Sequence, residues 1–120
     1  MTLSEVIEIL DADVLCGDGR LHVEVETAFG TDLMSAALAF AKAGSLLLTG
    51  LTNHQVVRTA NILDIAAIVV VQGKRPSPET IRLAEEMCIP LLSTQYILFE
   101  AAGRLYMRGI RGGQKVAANL

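Results

Sequence analysis

Three short phrases hold most of the residues able to recognise a charged ligand: Thr49-Gly50-Leu51-Thr52-Asn53, Gln72-Gly73-Lys74-Arg75 and Ser93-Thr94-Gln95. Together they offer hydroxyls, side-chain amides, glycines and an adjacent pair of cations. Such a set suits an anion, above all a phosphate, because hydroxyl and backbone N–H groups donate to its oxygens while Lys and Arg balance its charge. Arg58 falls one turn into the helix expected after the first phrase. The positive end of the helix dipole disfavours a cation there, and a bound anion or a neighbouring acid would offset this. The candidate ligand-binding residues are therefore Thr49, Gly50, Thr52, Asn53, Arg58, Gly73, Lys74, Arg75, Ser93 and Thr94. Each also has an ordinary structural reading: glycines turn chains, Asn53 starts a helix, and Lys74-Arg75 solvates a loop.

Signatures of catalysis are missing from the sequence. It has no G-x-x-x-x-G-K-[ST], no G-x-G-x-x-G after a strand, no H-E-x-x-H and no G-x-S-x-G. His22 and His54 do not pair with Cys16 and Cys88 at metal-ligand spacing. Cys88 precedes an apolar strand and is expected to be buried and inert. No catalytic residue, metal or cofactor is expected.

The elements that must position the three phrases follow from hydrophobic patterning. Leu46–Thr49, Ala67–Val71 and Ile89–Leu92 are short, nearly continuous apolar runs, as suits strands covered on both faces in a parallel sheet. Asn53 precedes a helical pattern, His54–Leu63, with Val56, Val57, Ala60 and Leu63 inward. Ser77-Pro78-Glu79 reads as N-cap, Pro at the first helical position and an acid in the first turn of a helix running to about Met87. Parallel strands joined by right-handed crossovers leave the sheet at one common edge, where α/β proteins bind ligands. Upstream, Thr2 and Glu5 form a capping-box pattern for a first helix. Val14–Cys16 reads as a strand. Leu21, Val23 and Val25 alternate with His22, Glu24 and Glu26, the period of a half-exposed strand extending to Phe29.

Two further helices are unusually apolar. Leu33–Ala43, with Asp32 as its expected N-cap, carries only Ser35 and Lys42 as polar residues. The last helix, about Gln95–Arg108, has one stripe of Ile97, Leu98, Ala101 and Leu105 and an adjacent one of Phe99, Ala102 and Tyr106. A helix apolar over so wide an arc is expected to bury more than one side, so Leu33, Met34, Phe40, Phe99 and Tyr106 are candidate dimer-interface residues.

The composition agrees. A chain of 120 residues, 52% hydrophobic and only 19% charged, builds one domain and has apolar surface to spare. A net charge of −3 argues against nucleic acid as a partner. No signal-type N-terminus and no membrane-length apolar run stands out, and two separate cysteines suit reduced thiols, so a cytoplasmic location is expected.

The phrases Thr49-Gly50-Leu51-Thr52-Asn53, Gly73-Lys74-Arg75-Pro76-Ser77 and Ile89-Pro90-Leu91-Leu92-Ser93-Thr94, in this order of elements, resemble the DRTGG domain family. The likeness extends to about Gly109, as a stand-alone member. It implies an α/β domain similar to the N-terminal domain of HPr kinase/phosphorylase. Relatives sit beside catalytic domains in some phosphotransacetylases and with CBS domains in some inorganic pyrophosphatases. The implied role is regulatory or associative, often at a dimer interface, with no catalytic residues. The family's signature would fall at Leu51-Thr52 and Gln72-Gly73-Lys74, where Gly73 alone keeps its residue type.

The expectation is thus a three-layer α/β/α domain over residues 1–109 with a small, mostly parallel sheet, and a tail over residues 110–120 that is frayed or docked on a partner. Its function would be that of a non-enzymatic regulatory or association module, forming a homodimer and acting through a protein partner or a small anionic ligand. One alternative is a nucleotide or phospho-metabolite sensor with its site at the strand-exit edge. A small phosphate-ester enzyme using Lys74, Arg75 and Thr52 is the more remote alternative, since no base or nucleophile stands beside them.

Overall fold

The computed structural model describes residues 1–113. In chain order the elements are α1 (Leu3–Leu10), β1 (Asp13–Cys16), β2 (Ala28–Gly30), α2 (Met34–Phe40), β3 (Leu46–Thr49), α3 (His54–Leu63), β4 (Ala67–Val70), α4 (Pro78–Glu86), β5 (Leu91–Ser93) and α5 (Leu98–Met107), with one 3-10 turn at Asp18–Arg20. The strands form one sheet in the order β1-β5-β4-β3-β2. From β2 to β5 every pairing is parallel, and β1 closes the far edge antiparallel to β5 with a bulge at Leu15.

Strand periodicity divides the core into two. Leu46, Leu48, Ala67, Val69 and Leu92 face one side, packed on α1 and α5 through Leu3, Val6, Leu10, Ala101 and Leu105. Leu47, Ile68, Val70 and Leu91 face the other, packed on Met34 of α2, Val56, Val57 and Ala60 of α3, and Ala84 of α4. The architecture is the three-layer α/β/α domain that the apolar runs predict. Burying each Leu or Ile of the central strands stabilises it by about 1.5–3 kcal/mol.

Local signals hold where their partners are local. Thr2 accepts from the Glu5 N–H while Glu5 accepts from the Thr2 N–H, completing the capping box. Ser77 accepts from the Thr80 N–H and Pro78 opens α4.

Several expectations need correction. The Leu21–Phe29 alternation is real, with Val25 buried and His22, Glu24 and Glu26 exposed, but only Ala28–Gly30 joins the sheet. The preceding residues instead lie along the start of α1, where the Leu3 and Ser4 N–H groups donate to the Val23 and Leu21 carbonyls. These bonds satisfy first-turn donors that the helix cannot satisfy itself. The second helix is shorter than Leu33–Ala43, and Asp32 does not cap it, because the Asp32 carboxylate is drawn to the end of β3. Met34 lies in the core, so it is not available to a partner. Ile97 precedes α5 and is exposed rather than part of its inner stripe. Cys88 is exposed, in a left-handed conformation just past α4.

The expected tail begins inside the fold. Ile110 is buried, and the Arg111 N–H and C=O bond Glu26 and Ala28 beside β2. Residues 114–120, the rest of that tail, lie outside the described residues. Among the described residues no helix is long and apolar enough to cross a membrane.

Candidate functional site

Because β2 to β5 run parallel, their exits share one edge, and the start of the antiparallel β1 joins them there. The connections α2, α3 and α4 cover one face, whereas the chain leaving β5 turns to the other face to form α5. Adjacent exits that diverge to opposite faces open a crevice, the usual ligand position in open α/β sheets. Here it must fall between the exits of β4 and β5.

That crevice is closed by the protein's own groups. Val71-Gln72-Gly73-Lys74 is a tight turn with both central residues left-handed, φ 64° at Gln72 and 67° at Gly73, and the Lys74 N–H donates back to the Val71 carbonyl. The turn's central N–H groups, from Gln72 and Gly73, donate to the carbonyls of Tyr96 and Thr94, each at 2.8 Å. Gly73 is needed for its positive φ; a Cβ there would also come within 2.6 Å of Gln95 Oε1, the mobile end of an exposed side chain. Ser93 Oγ donates to the Lys74 carbonyl at 3.0 Å, and Thr94 Oγ1 to the Leu10 carbonyl at 2.7 Å. Both hydroxyls are buried in structural roles.

A second polar cluster lies at the exits of β2, β3 and β4. Asp32 Oδ1 accepts from the Gly50 N–H at 2.6 Å and from Thr49 Oγ1 at 3.0 Å, and Thr49 Oγ1 in turn accepts from the Leu51 N–H. Both the Asp32 carboxylate and Lys74 Nζ flank buried Gly50, within 4 Å of where its Cβ would sit. Thr52 is half-buried and Asn53 exposed beside them. Asn53 does occupy the N-cap position of α3, but its side chain makes no capping bond, so the first N–H groups of that helix lack a side-chain acceptor. Arg75 pairs with Asp13 at the start of β1. The pair is exposed on both sides, which limits it to roughly 0–1 kcal/mol. Arg58 is exposed, and among the described residues it makes no hydrogen bond or ion pair.

Of the predicted residues, then, Thr49 and Gly50 are buried against the Asp32 carboxylate, with the Thr49 hydroxyl fully engaged, and Lys74, Thr52 and Asn53 make the accessible shelf around them. Gly73, Ser93 and Thr94 hold the neighbouring loops together, and Arg75 is engaged at the rim. Asp32 organises this shelf, yet in sequence it reads only as a helix cap. What could have placed it is its position just after β2, since in a parallel sheet every such residue reaches the same edge. At the opposite end of the sheet, a cavity of about 640 Å³ lies between the end of β1 and α4, lined by Cys16, Arg20, Ala84 and Ile89 among others.

Fold and site together define a small three-layer α/β domain with a polar shelf at the strand-exit edge and, among its described residues, no His/Cys/Asp/Glu group that could hold a metal ion. The sequence matches the DRTGG domain model over residues 5–107, and the chain belongs to that family. The uncharacterized protein YtoI of Bacillus subtilis (strain 168) is 30% identical over 108 residues, which cover 88% of this chain and 24% of that protein. The chain thus spans about a quarter of that relative's length. Among solved structures, it superposes with a TM-score of 0.74 on the CBS and DRTGG domains of the regulatory region of a Clostridium perfringens pyrophosphatase, in complex with the activator diadenosine tetraphosphate. The identity is 18%, over 97% of this chain and 53% of that one, so the likeness speaks to the fold.

Proposed function

We propose that this domain is a non-enzymatic regulatory and association module of the cytoplasm that pairs with a second copy of itself. The observation that carries this reading is the outer face of α5. Phe99 is 85% and Tyr106 57% exposed, one above the other at i and i+7 with Ala102 between them. Ile97 and Met107 flank the ends of the same short helix, also exposed, and Leu33 and Phe40 add apolar surface near α2. The exposed Phe99–Tyr106 stripe of α5 is an apolar face of the kind that marks an interaction surface on a small domain, while Phe40 belongs to α2 on the opposite face of the sheet. The Arg111 guanidinium stacks 4.0 Å over the Tyr106 ring, which holds that ring in a fixed pose. Light scattering during gel filtration tests the reading. The wild-type chain is expected at twice its 12.8 kDa mass, and Phe99→Glu at 12.8 kDa with an unchanged circular-dichroism spectrum. A monomeric wild type at micromolar concentration refutes it.

A second reading has its own support: the Gly50 shelf as a sensor site for a nucleotide or other phosphate-bearing metabolite. Lys74 is exposed with its Nζ beside Gly50, in the loop that leads to the side-chain-uncapped start of α3, and the pyrophosphatase region of like fold was obtained with a dinucleoside polyphosphate. A ligand at a hundredfold its dissociation constant adds about 2.7 kcal/mol of stability. A thermal-shift panel of nucleotides should then show a rise that Lys74→Ala abolishes, and a flat panel sinks this reading while leaving the association reading intact.

A further inference from the structure

Cys16 and Cys88 are remote in sequence but line one cavity of about 640 Å³, between the end of β1 and the C-terminus of α4. Cys16 is buried, and its Sγ donates at 3.4 Å to the carbonyl of Ile89, the residue that follows Cys88. Cys16 Sγ thus lies against the residue next to Cys88, on the short link between α4 and β5. Cys88 is exposed and also borders an adjoining cavity of about 290 Å³, so a small reagent in solvent reaches it. Its φ of 57° places a side chain in the left-handed region, directly after the helix cap, where glycine is the ordinary choice. The backbone there does not ask for a cysteine.

We propose that Cys16 and Cys88 form an oxidation-sensitive dithiol that closes to an intrachain disulfide on exposure to a hydroperoxide. The Cys88 sulfur attacks one peroxide oxygen. The O–O bond breaks, the displaced oxygen leaves as water or alcohol after taking up the thiol's proton, and Cys88 becomes a sulfenic acid. Cys16 sulfur then attacks Cys88 sulfur. The S–S bond forms, the S–O bond breaks, and hydroxide departs as water with the Cys16 proton. Two thiols are oxidised and one peroxide is reduced.

The order of events follows from the surroundings. Burial, reinforced by the Glu85 and Asp18 carboxylates, holds the Cys16 thiol above the ordinary range despite an opposing backbone hydrogen bond at Leu91, so it stays protonated until the sulfenic acid forms beside it. Closure exchanges the Cys16–Ile89 hydrogen bond for a covalent tie between β1 and the α4–β5 link, across the mouth of the cavity.

The experiment treats the full chain with hydrogen peroxide and follows free thiols, intact mass and disulfide-mapped peptides. Both thiols are expected to disappear together, with a mass loss of two hydrogens, a Cys16–Cys88 linked peptide, and reversal by dithiothreitol. The long ring closed by the bond should raise the melting temperature on the order of 10 °C. Cys88→Ser, at an exposed position, should keep the fold and leave Cys16 unreacted. Cys16→Ala should leave Cys88 as a sulfenic or sulfinic acid. Wild-type protein that instead forms Cys88-linked dimers, or overoxidises Cys88 while Cys16 stays a free thiol, overturns the proposal.

Discussion

Thr94→Val separates a structural strand-exit hydroxyl from a ligand-binding one. Thr94 is 1% exposed; its Oγ1 donates to the Leu10 carbonyl at 2.7 Å and accepts from the Tyr96 N–H at 3.3 Å. The Leu10 carbonyl sits at the C-terminal end of α1, beyond the helix's own N–H groups. Valine keeps the side chain's shape and removes both bonds, leaving a carbonyl and an N–H without partners in an apolar setting. An unsatisfied buried group costs about 1–3 kcal/mol, and the shorter bond carries most of it here, so the pair should cost about 2–3 kcal/mol. A chain of 120 residues unfolds with an entropy of roughly 250 cal/mol/K. The loss therefore corresponds to a fall of about 8–12 °C in melting temperature, read by circular dichroism at neutral pH. Thr94→Ser keeps the hydroxyl and gives up one methyl, about 0.8 kcal/mol or roughly 3 °C. If Thr94→Val melts within about 2 °C of wild type, the tie between β5 and α1 contributes little, and the structural assignment of Thr94 fails.

Gly73→Ala should lower the melting temperature by about 4–8 °C, because a side chain at positive φ costs about 1–2 kcal/mol. The clash it makes with the end of exposed Gln95 can be relieved by a rotamer change, so a loss much above that range would mean the turn itself had rearranged. Thr2→Ala removes the acceptor of the capping box. It should cost about 1 kcal/mol, near 4 °C, and hydrogen exchange should show faster exchange at the Glu5 amide. The raised Cys16 thiol sets an alkaline limb. The folded state holds this proton more tightly than the unfolded state, so the stability is present below the unfolded thiol's pKa and is lost as pH rises toward the folded value. Melting temperature should therefore drop between neutral pH and pH about 10, and drop less in Cys16→Ser, whose hydroxyl does not ionise there. Equal slopes would show that the thiol is not differentially ionised.

The sequence by itself determined the layers. Leu46-Leu47-Leu48 has no polar break, which only a strand covered on both faces tolerates, and the helical stripes of Val56, Val57 and Ala60 require a sheet to cover them. Thr2 with Glu5, and Ser77 with Pro78, act on N–H groups within three residues, so their roles were legible without a fold. Tertiary structure decided everything whose partner was remote. The alternation of Leu21, Val23 and Val25 reports apolar matter on one side, but does not say whether it is a sheet or the flank of α1. Asp32 has a local use as a helix cap, and it loses that use to two donors at the end of β3, the Thr49 hydroxyl and the Gly50 N–H. Ser93 and Thr94 look free in a strand-exit loop, yet their hydroxyls donate to the carbonyls of Lys74 and Leu10, groups far away in the chain. Cys16 and Cys88 meet across one cavity because β1 enters beside β5, a placement set by packing the two faces of the sheet and written in no single stretch of the chain.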